Sequence, residues 1–376
     1  MNSLLSPKTQ KNEKPVNRAS WLLPAYAYSD SNIYSQEIEK IFKKEWLYAA
    51  HVSSLRKPGD FLTLTLADQP LLVVCDKSNR IRTFYNICRH RGAAIASGSG
   101  NAETFSCPYH AWTYDCGGRL TTAPLMDQAV DFDPSKIRLR EVRTEVFNGL
   151  VFINFDEAAP GLIDRITDLD AILKPWPIAD MVPAYRYEMV GDFNWKLLLE
   201  NGIEGYHIIA AHRQSFEDIA PAHLTYSTDN KGRYWSDLHT PYADYASVPV
   251  APAIPGVPSW VRERMSFFIL YPHFVMSVGE DSINTYISYP EGPKRTRFVW
   301  TMYVPETTTQ WEGYSAFMSA YGPWIDMINV EDRGICESVQ RGVESGSWIL
   351  PRYSHLEEPV WQFHKWYLER MKLDPA

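Results

Sequence analysis

The sequence predicts an α+β protein of two domains, an antiparallel β domain followed by a sheet with helices packed on it. Three observations carry this. The 376 residues exceed the roughly 100 to 200 of a usual single domain. Residues 59–155 break into short runs rich in β-branched and aromatic side chains, separated by Gly, Asp and Asn turns. Beyond them, helix-like stretches flank a second alternating segment at 265–304.

The first twenty residues are polar, contain Pro and Lys, and hold no apolar run of signal-peptide length, so they read as a loose arm. Around residues 30 to 46 a capped amphipathic helix is expected, with Ile38, Ile41 and Phe42 on one face and charges on the other. Arm and helix, 1–44, are assigned to pack on the second domain. The β domain is placed at 45–156, from the runs FLTLTL, PLLVVC, IRTFYNI, TFSC and GLVFINF. A linker containing AAPGLID and the Pro-rich KPWPIADMVP open the second domain, 157–376. There NWKLLLENGIEGYHIIAAH reads as helix, PEGPKR as a hairpin turn between two strands, and 310–344 as helix.

With 45% hydrophobic and 22% charged residues the chain falls in the soluble globular range. A formal net charge of -8 argues against a general affinity for nucleic acid or acidic membranes. No run of about 18 apolar residues occurs, so no membrane span is expected and the cytoplasm is the expected location. The 14% aromatic content suits an apolar pocket and plain core filling equally well. Five Cys, an odd number in a long chain, favour metal ligation over a disulfide scaffold.

CRHRG and CPYHAW supply Cys88, His90, Cys107 and His110 as CxH followed by CxxH. Two thiolates and two imidazoles suit zinc or an iron-sulfur centre. A zinc finger normally pairs Cys with Cys at one end and His with His at the other, whereas here each loop gives one of each. That order fits a Rieske 2Fe-2S centre, in which one iron takes both Cys and the other both His. The bland alternatives are a structural zinc site or scattered core Cys and surface His. Cys75, Cys116 and Cys336 fall outside the pattern and read as buried thiols. The SGSG at 97–100 reads as a turn between the two loops.

Asn201, Glu204 and His207 form a polar line at helical spacing on an otherwise apolar segment. His207 and His212 are five apart, about 140 degrees on an ideal helix, so both reach one metal only if the helix bends or ends between them, near Ala210 and Ala211. Two His and a carboxylate are the ligand set of non-haem Fe(II) oxygenases. For the carboxylate, Asp332 falls on the apolar stripe of Ile325, Ile328, Ile335 and Val339, whereas Glu331 and Glu337 do not. A helix-capping or salt-bridged Asp is the competing reading. His51, His223, His239, His273, His355 and His364 belong to no motif and read as structural.

On CRHRG, CPYHAW, NWKLLLEN, the EGYH segment reaching His212, and EDRGICESVQRG, matched in order, the sequence resembles the α subunits of Rieske non-haem iron aromatic-ring-hydroxylating oxygenases and their relatives acting on quaternary amines. The likeness runs over nearly the whole chain after about residue 20. It implies a β-rich Rieske domain and a helix-grip, START-like catalytic domain, with the cluster on Cys88, His90, Cys107 and His110 and mononuclear iron on His207, His212 and Asp332. Glu204 stands where most members have an Asp that connects a cluster His of one subunit to an iron-ligand His of its neighbour, with His110 and His207 as its partners here. Asn201 is expected beside the iron ligands. Arg89 is a second departure, Pro being common there.

The resemblance also implies a homotrimer, in some members with β subunits, that receives electrons from NAD(P)H through a separate reductase and sometimes a ferredoxin, and uses O2 on a small organic substrate. An aromatic acid is the first expectation for that substrate, a quaternary amine the second. A Rieske electron carrier without oxygenase activity and a zinc-stapled binding module are the rival classes, neither of which needs His207, His212 and Asp332.

Overall fold

The computed structural model describes residues 23–228, 234–244, 251–350 and 352–373, so the expected arm at 1–20 lies outside the described residues. After α1 (Tyr26–Ser29) comes α2 (Ser31–Glu37), capped by the Asp30 carboxylate, which accepts from the N–H groups of Asn32 and Ile33 at 2.7 and 3.1 Å. A π-helical turn, Ile38–Phe42, extends it and buries Ile38, Ile41 and Phe42, the three residues the periodicity selects. The charges do not all face water, however. Glu37 is buried and pairs with the fully buried Lys196.

The first domain contains β1 (Leu47–His51), β2 (Asp60–Leu66), β3 (Gln69–Cys75), β4 (Ile81–Tyr85) and β5 (Ser99–Asn101), then β6 (Thr104–Ser106), β7 (Thr113–Asp115) and β8 (Leu120–Thr122), then β9 (Glu141–Phe147) and β10 (Leu150–Asn154). Seven strands form one antiparallel sheet, in the order β1-β10-β9-β4-β3-β2-β5, and β6-β7-β8 form a second. The expected turn at SGSG is confined to its first half. Gly98 has φ +74, but Ser99 opens β5, which pairs with β2 at the sheet edge.

Successive residues of a strand face opposite sides, and β3 uses both. Leu71, Val73 and Cys75 belong to the large core shared with the second domain, whereas Leu72 and Val74 belong to a smaller core with Phe84, Cys88, Cys107 and Tyr114. The run PLLVVC is apolar throughout because neither face meets solvent.

The linker reading of AAPGLID is corrected at its end, since α3 (Leu162–Leu173) begins inside it. The Pro and Gly that suggest a linker stand immediately before the helix start, where such residues are also tolerated. The second domain continues with β11 (Met181–Gly191), α4 (Trp195–Gly202), α5 (Ile208–Ala211), β12 (Trp235–Pro241), β13 (Arg264–Leu270), β14 (Phe274–Val278), β15 (Ile283–Gly292), β16 (Arg295–Pro305), α6 (Tyr314–Glu344) and α7 (Glu358–Met371). Its strands form an antiparallel sheet in the order β11-β16-β15-β14-β13-β12. The PEGPKR hairpin closes with Gly292 opposite Arg295, as expected. Helix α4 lies against α6 and β15, and α6 against β11, the helix-on-sheet arrangement anticipated for this half. Among the described residues no helix is long and apolar enough to cross a membrane.

Candidate active site

The loop after β4 carries Cys88 and His90, and the loop between β6 and β7 carries Cys107 and His110. The two loops close alike. The Cys88 N–H donates to Ala93 O at 2.8 Å and the Cys107 N–H to Trp112 O at 2.8 Å, each five residues on. The Gly92 N–H returns to Cys88 O at 3.0 Å and the Ala111 N–H to Cys107 O at 2.9 Å, each from four residues on. Both returning residues need the left-handed region, Gly92 at φ +80 and Ala111 at φ +55. Each turn leaves its thiol buried and its imidazole exposed, with the two rings 4.6 Å apart between centroids. His90 stacks on Trp112 at 4.8 Å.

Tyr114, which the motifs do not flag, organises this end. Its hydroxyl lies 3.4 Å from Cys88 Sγ and accepts the Arg89 N–H at 2.9 Å. A proline at 89 has no N–H to give, so Arg89 keeps a bond that the commoner residue lacks. Burial alone would push the Cys88 thiol up, but the Tyr114 hydroxyl and the N–H groups of His90 and Arg91 hold it below its ordinary value. Two buried sulfurs with donors aimed at one, and two outward imidazoles, fit a cluster with one iron on each pair.

The second group forms where α4 breaks. The helix ends at Gly202, earlier than expected, and α5 is a single turn with His207 at its N-cap and His212 at its C-cap. The predicted end at Ala211 is found. The polar line of Asn201, Glu204 and His207 is not one helix face, because Glu204 and His207 stand in the interruption. There Glu204 folds onto its own successors: its carboxylate accepts the backbone N–H groups of Tyr206 and His207, the latter at 3.1 Å, and the His207 Nδ1–H at 2.7 Å. These bonds satisfy backbone donors in the interruption, just ahead of α5.

From α6, Asp332 places Oδ1 3.0 Å from His212 Nε2 and 3.7 Å from His207 Nε2, and one ligand atom from each of the three lies within 4.8 Å of the others. The fit to a metal is visible in what these atoms lack. Asp332 Oδ1 is buried and makes no well-formed hydrogen bond, as is also true of Asn201 Oδ1. Both imidazoles turn Nε2 to the common point and anchor Nδ1 on a carboxylate, His207 on Glu204 and His212 on Glu331, each at 2.7 Å. This is how metal-bound His is held. Burial disfavours a charged His207, and the Glu204 charge and hydrogen bond overcome it, raising its pKa.

Two readings of α6 change. Its stripe does not include Ile335, which is exposed; from Ile325 onward the buried residues are Ile325, Asn329, Cys336, Gln340 and Val343, with Asp332 on the same side. Glu331, set aside on the helical wheel, reaches the site from the flank and also accepts from Ser215 Oγ at 2.7 Å. Cys75, Cys116 and Cys336 are buried free thiols, as read. His51, His239, His273 and His364 are buried, and His223 and His355 are exposed, all six apart from both groups.

Beside His207, His212 and Asp332 opens a cavity of about 410 Å³ between α4, α6 and one face of the six-stranded sheet. Alternate strand residues line it in register, Tyr286 opposite Trp300 and Ser277 opposite Asn284. Phe216 and Trp324 stack at 5.8 Å on the helix side.

Residues 45–143 match the Rieske [2Fe-2S] domain and residues 178–373 the ring hydroxylating alpha subunit catalytic domain. The carnitine monooxygenase oxygenase subunit of Escherichia coli (strain K12) is 34% identical over 58% of this chain, which spans only 57% of that protein's length. The chloroplastic choline monooxygenase of Arabidopsis thaliana is 27% identical over 96% of this chain and 85% of its own length. The crystal structure of the quaternary ammonium Rieske monooxygenase CntA in complex with L-carnitine superposes with a TM-score of 0.80 at 26% identity, over 93% of this chain and 96% of that one. With the 2Fe-2S loops, the His-His-Asp group and the matched catalytic domain in one chain, the protein belongs to the ring-hydroxylating alpha subunits of the Rieske non-haem iron oxygenases.

Proposed function

We propose that this chain is the terminal oxygenase of a Rieske system and hydroxylates a methylated, quaternary amine. The cavity carries the choice of substrate. Its walls hold Phe216, Tyr286, Trp300, Tyr321 and Trp324, and no Lys or Arg is among the described residues lining it. An aromatic acid, the first expectation from sequence, would bury its carboxylate there without a Lys or Arg to pair with it, at a cost of several kcal/mol. Aromatic faces instead attract a quaternary ammonium group. The carnitine and choline monooxygenases among the relatives agree with this reading.

In this reading Cys88, His90, Cys107 and His110 hold the 2Fe-2S cluster, and His207, His212 and Asp332 the mononuclear iron. When bound, the cluster supplies single electrons and the iron activates O2. The chain's own part is positioning. Glu204 and Glu331 keep the Nδ1 protons of His207 and His212, so that both Nε2 lone pairs face the iron position. Leu198, Ile208 and Phe216 give the cavity an apolar wall beside the iron position. Glu204 also spans from His207 toward His110 of a neighbouring protomer in a head-to-tail ring, the trimer the resemblance implies. Electrons reach that His110 from a separate NAD(P)H-dependent reductase.

The test is product analysis by mass spectrometry after chemically reduced holoprotein meets O2 with methylated amines and aromatic acids. A demethylated, chain-cleaved or hydroxylated amine is expected; a phenol or ring diol would return the reading to the aromatic branch. No product from a protein with both metal sites filled would favour an electron carrier.

A further inference from the structure

Four carboxylates line the cavity: Glu204, Glu280, Asp281 and Asp332. Three have partners that account for their charge. Glu204 holds His207, Asp332 faces both imidazoles, and Glu280 pairs with Arg262. Asp281 differs. It sits in the turn between β14 and β15, 7% exposed, and its ties are to uncharged donors: Oδ2 accepts the Ala251 N–H at 2.7 Å and Oδ1 accepts from Ser282 Oγ at 2.7 Å. Two such bonds favour the ionised form, while burial and the neighbouring Glu280 charge act the other way and raise its pKa. A cation in the cavity would relieve that opposition.

The walls nearby suit one. Trp300 Nε1 and Tyr321 OH both donate to Asn284 Oδ1, at 3.0 and 3.2 Å, so their polar edges are already engaged and ring surface is what remains. Tyr286 lies against Trp300 with ring centroids 4.7 Å apart. Burial raises Tyr242 and Tyr321, and the Asp281 charge adds to both. Neither phenol will supply a counter-anion of its own.

We infer that Asp281 is the counter-charge for the substrate's ammonium group, and that the substrate is a net cation without a carboxylate, a choline-like alcohol or an alkyltrimethylammonium rather than a zwitterion such as carnitine. The inference rests on the amine reading above and narrows it. A zwitterion would bring a carboxylate into a cavity whose described lining already holds Asp281 and offers no Lys or Arg to receive it, its two His being engaged by Glu204, Glu331 and Asp332.

Calorimetric titration of the metal-loaded holoprotein with choline, hexyltrimethylammonium, L-carnitine, benzoate and 3,3-dimethylbutanol, the uncharged carbon isostere of choline, tests it. The wild type is expected to bind the two cations about tenfold or more tighter than the isostere and than carnitine. Asp281→Asn is expected to lose that advantage while binding the isostere unchanged, and Asp281→Glu to recover part of it. Equal binding of choline and its isostere by the wild type overturns the inference without recourse to any variant, as does tighter binding of carnitine. Unchanged cation affinity in a folded Asp281→Asn removes Asp281 from the role and leaves the amine reading intact. Failure of the wild type to bind any of the amines, with benzoate bound instead, defeats the amine reading itself.

Discussion

Glu331 and Asp332 are neighbours on α6 and hold opposite edges of one imidazole: His212 gives Nδ1 to Glu331 Oε2 at 2.7 Å and turns Nε2 to Asp332 Oδ1 at 3.0 Å. Adjacent helix residues point about 100 degrees apart, and the ring bridges that angle. Removing the outer carboxylate leaves the ligand present but free to rotate. Glu331→Gln is expected to lower affinity for the mononuclear iron by about 10 to 100-fold with the cluster's visible absorption unchanged. Iron titration of the apo-variant, read beside that absorption, checks it; normal iron affinity would show that Ser215 and the surrounding packing suffice.

Glu204→Gln keeps a group of similar shape against His207 but removes the charge. With iron supplied in excess both metal sites are expected to fill, while oxidation of the reduced cluster by O2 and substrate slows by about tenfold or more in single turnover. Cluster oxidation at the wild-type rate would exclude Glu204 from the bridge.

Tyr114→Phe removes the hydroxyl that lies 3.4 Å from Cys88 Sγ and accepts the Arg89 N–H. Fewer hydrogen bonds to a cluster sulfur favour the oxidised state, so the reduction potential should fall. Stability should fall by about 1 kcal/mol. Electrochemistry on the variant reads the first, denaturant unfolding the second.

Lys196 and Glu37 form a buried pair to which Trp195 Nε1 and Tyr367 OH add bonds at 2.9 and 2.6 Å. Lys196→Met strands the Glu37 charge and is expected to cost about 3 to 5 kcal/mol. The double variant Lys196→Met, Glu37→Gln should recover part of that loss in urea unfolding.

His51 is buried against the Ile178 carbonyl at 2.8 Å, and burial lowers its pKa from 6.5 to about 4. The unfolded chain therefore binds a proton that the folded chain refuses. Stability is full above pH 6.5 and declines as pH falls toward 4, by about 3 kcal/mol from this group. His273, lowered to about 3, adds to the same decline. His51→Gln should flatten the slope of unfolding free energy between pH 6.5 and 4; an unchanged slope would assign it to other groups.

Most of the chemistry is legible in sequence because metal ligands are fixed by element and spacing. CxH and CxxH name their cluster, and the five-residue gap between His207 and His212 demands a helix end that occurs at Ala211. What escapes is whatever depends on a side chain's reach. Glu331 lies off the ideal wheel face, yet its long side chain meets His212. Glu37 looks like a solvated charge until Lys196 arrives from a distant helix. Asp281 carries no motif, and its cavity is assembled from five strands and three helices that no local pattern joins.

Strand β3 has a consequence for engineering. Because Leu71, Val73 and Cys75 fill the large core and Leu72 and Val74 fill the smaller one, the two halves share a wall rather than a hinge. Modular shuffling, in which a cluster-bearing half is grafted onto a foreign catalytic half, would cut through that wall. Leu71, Val73 and Cys75 would then face a surface they never evolved against, and a chimaera would need those three positions redesigned together with the graft.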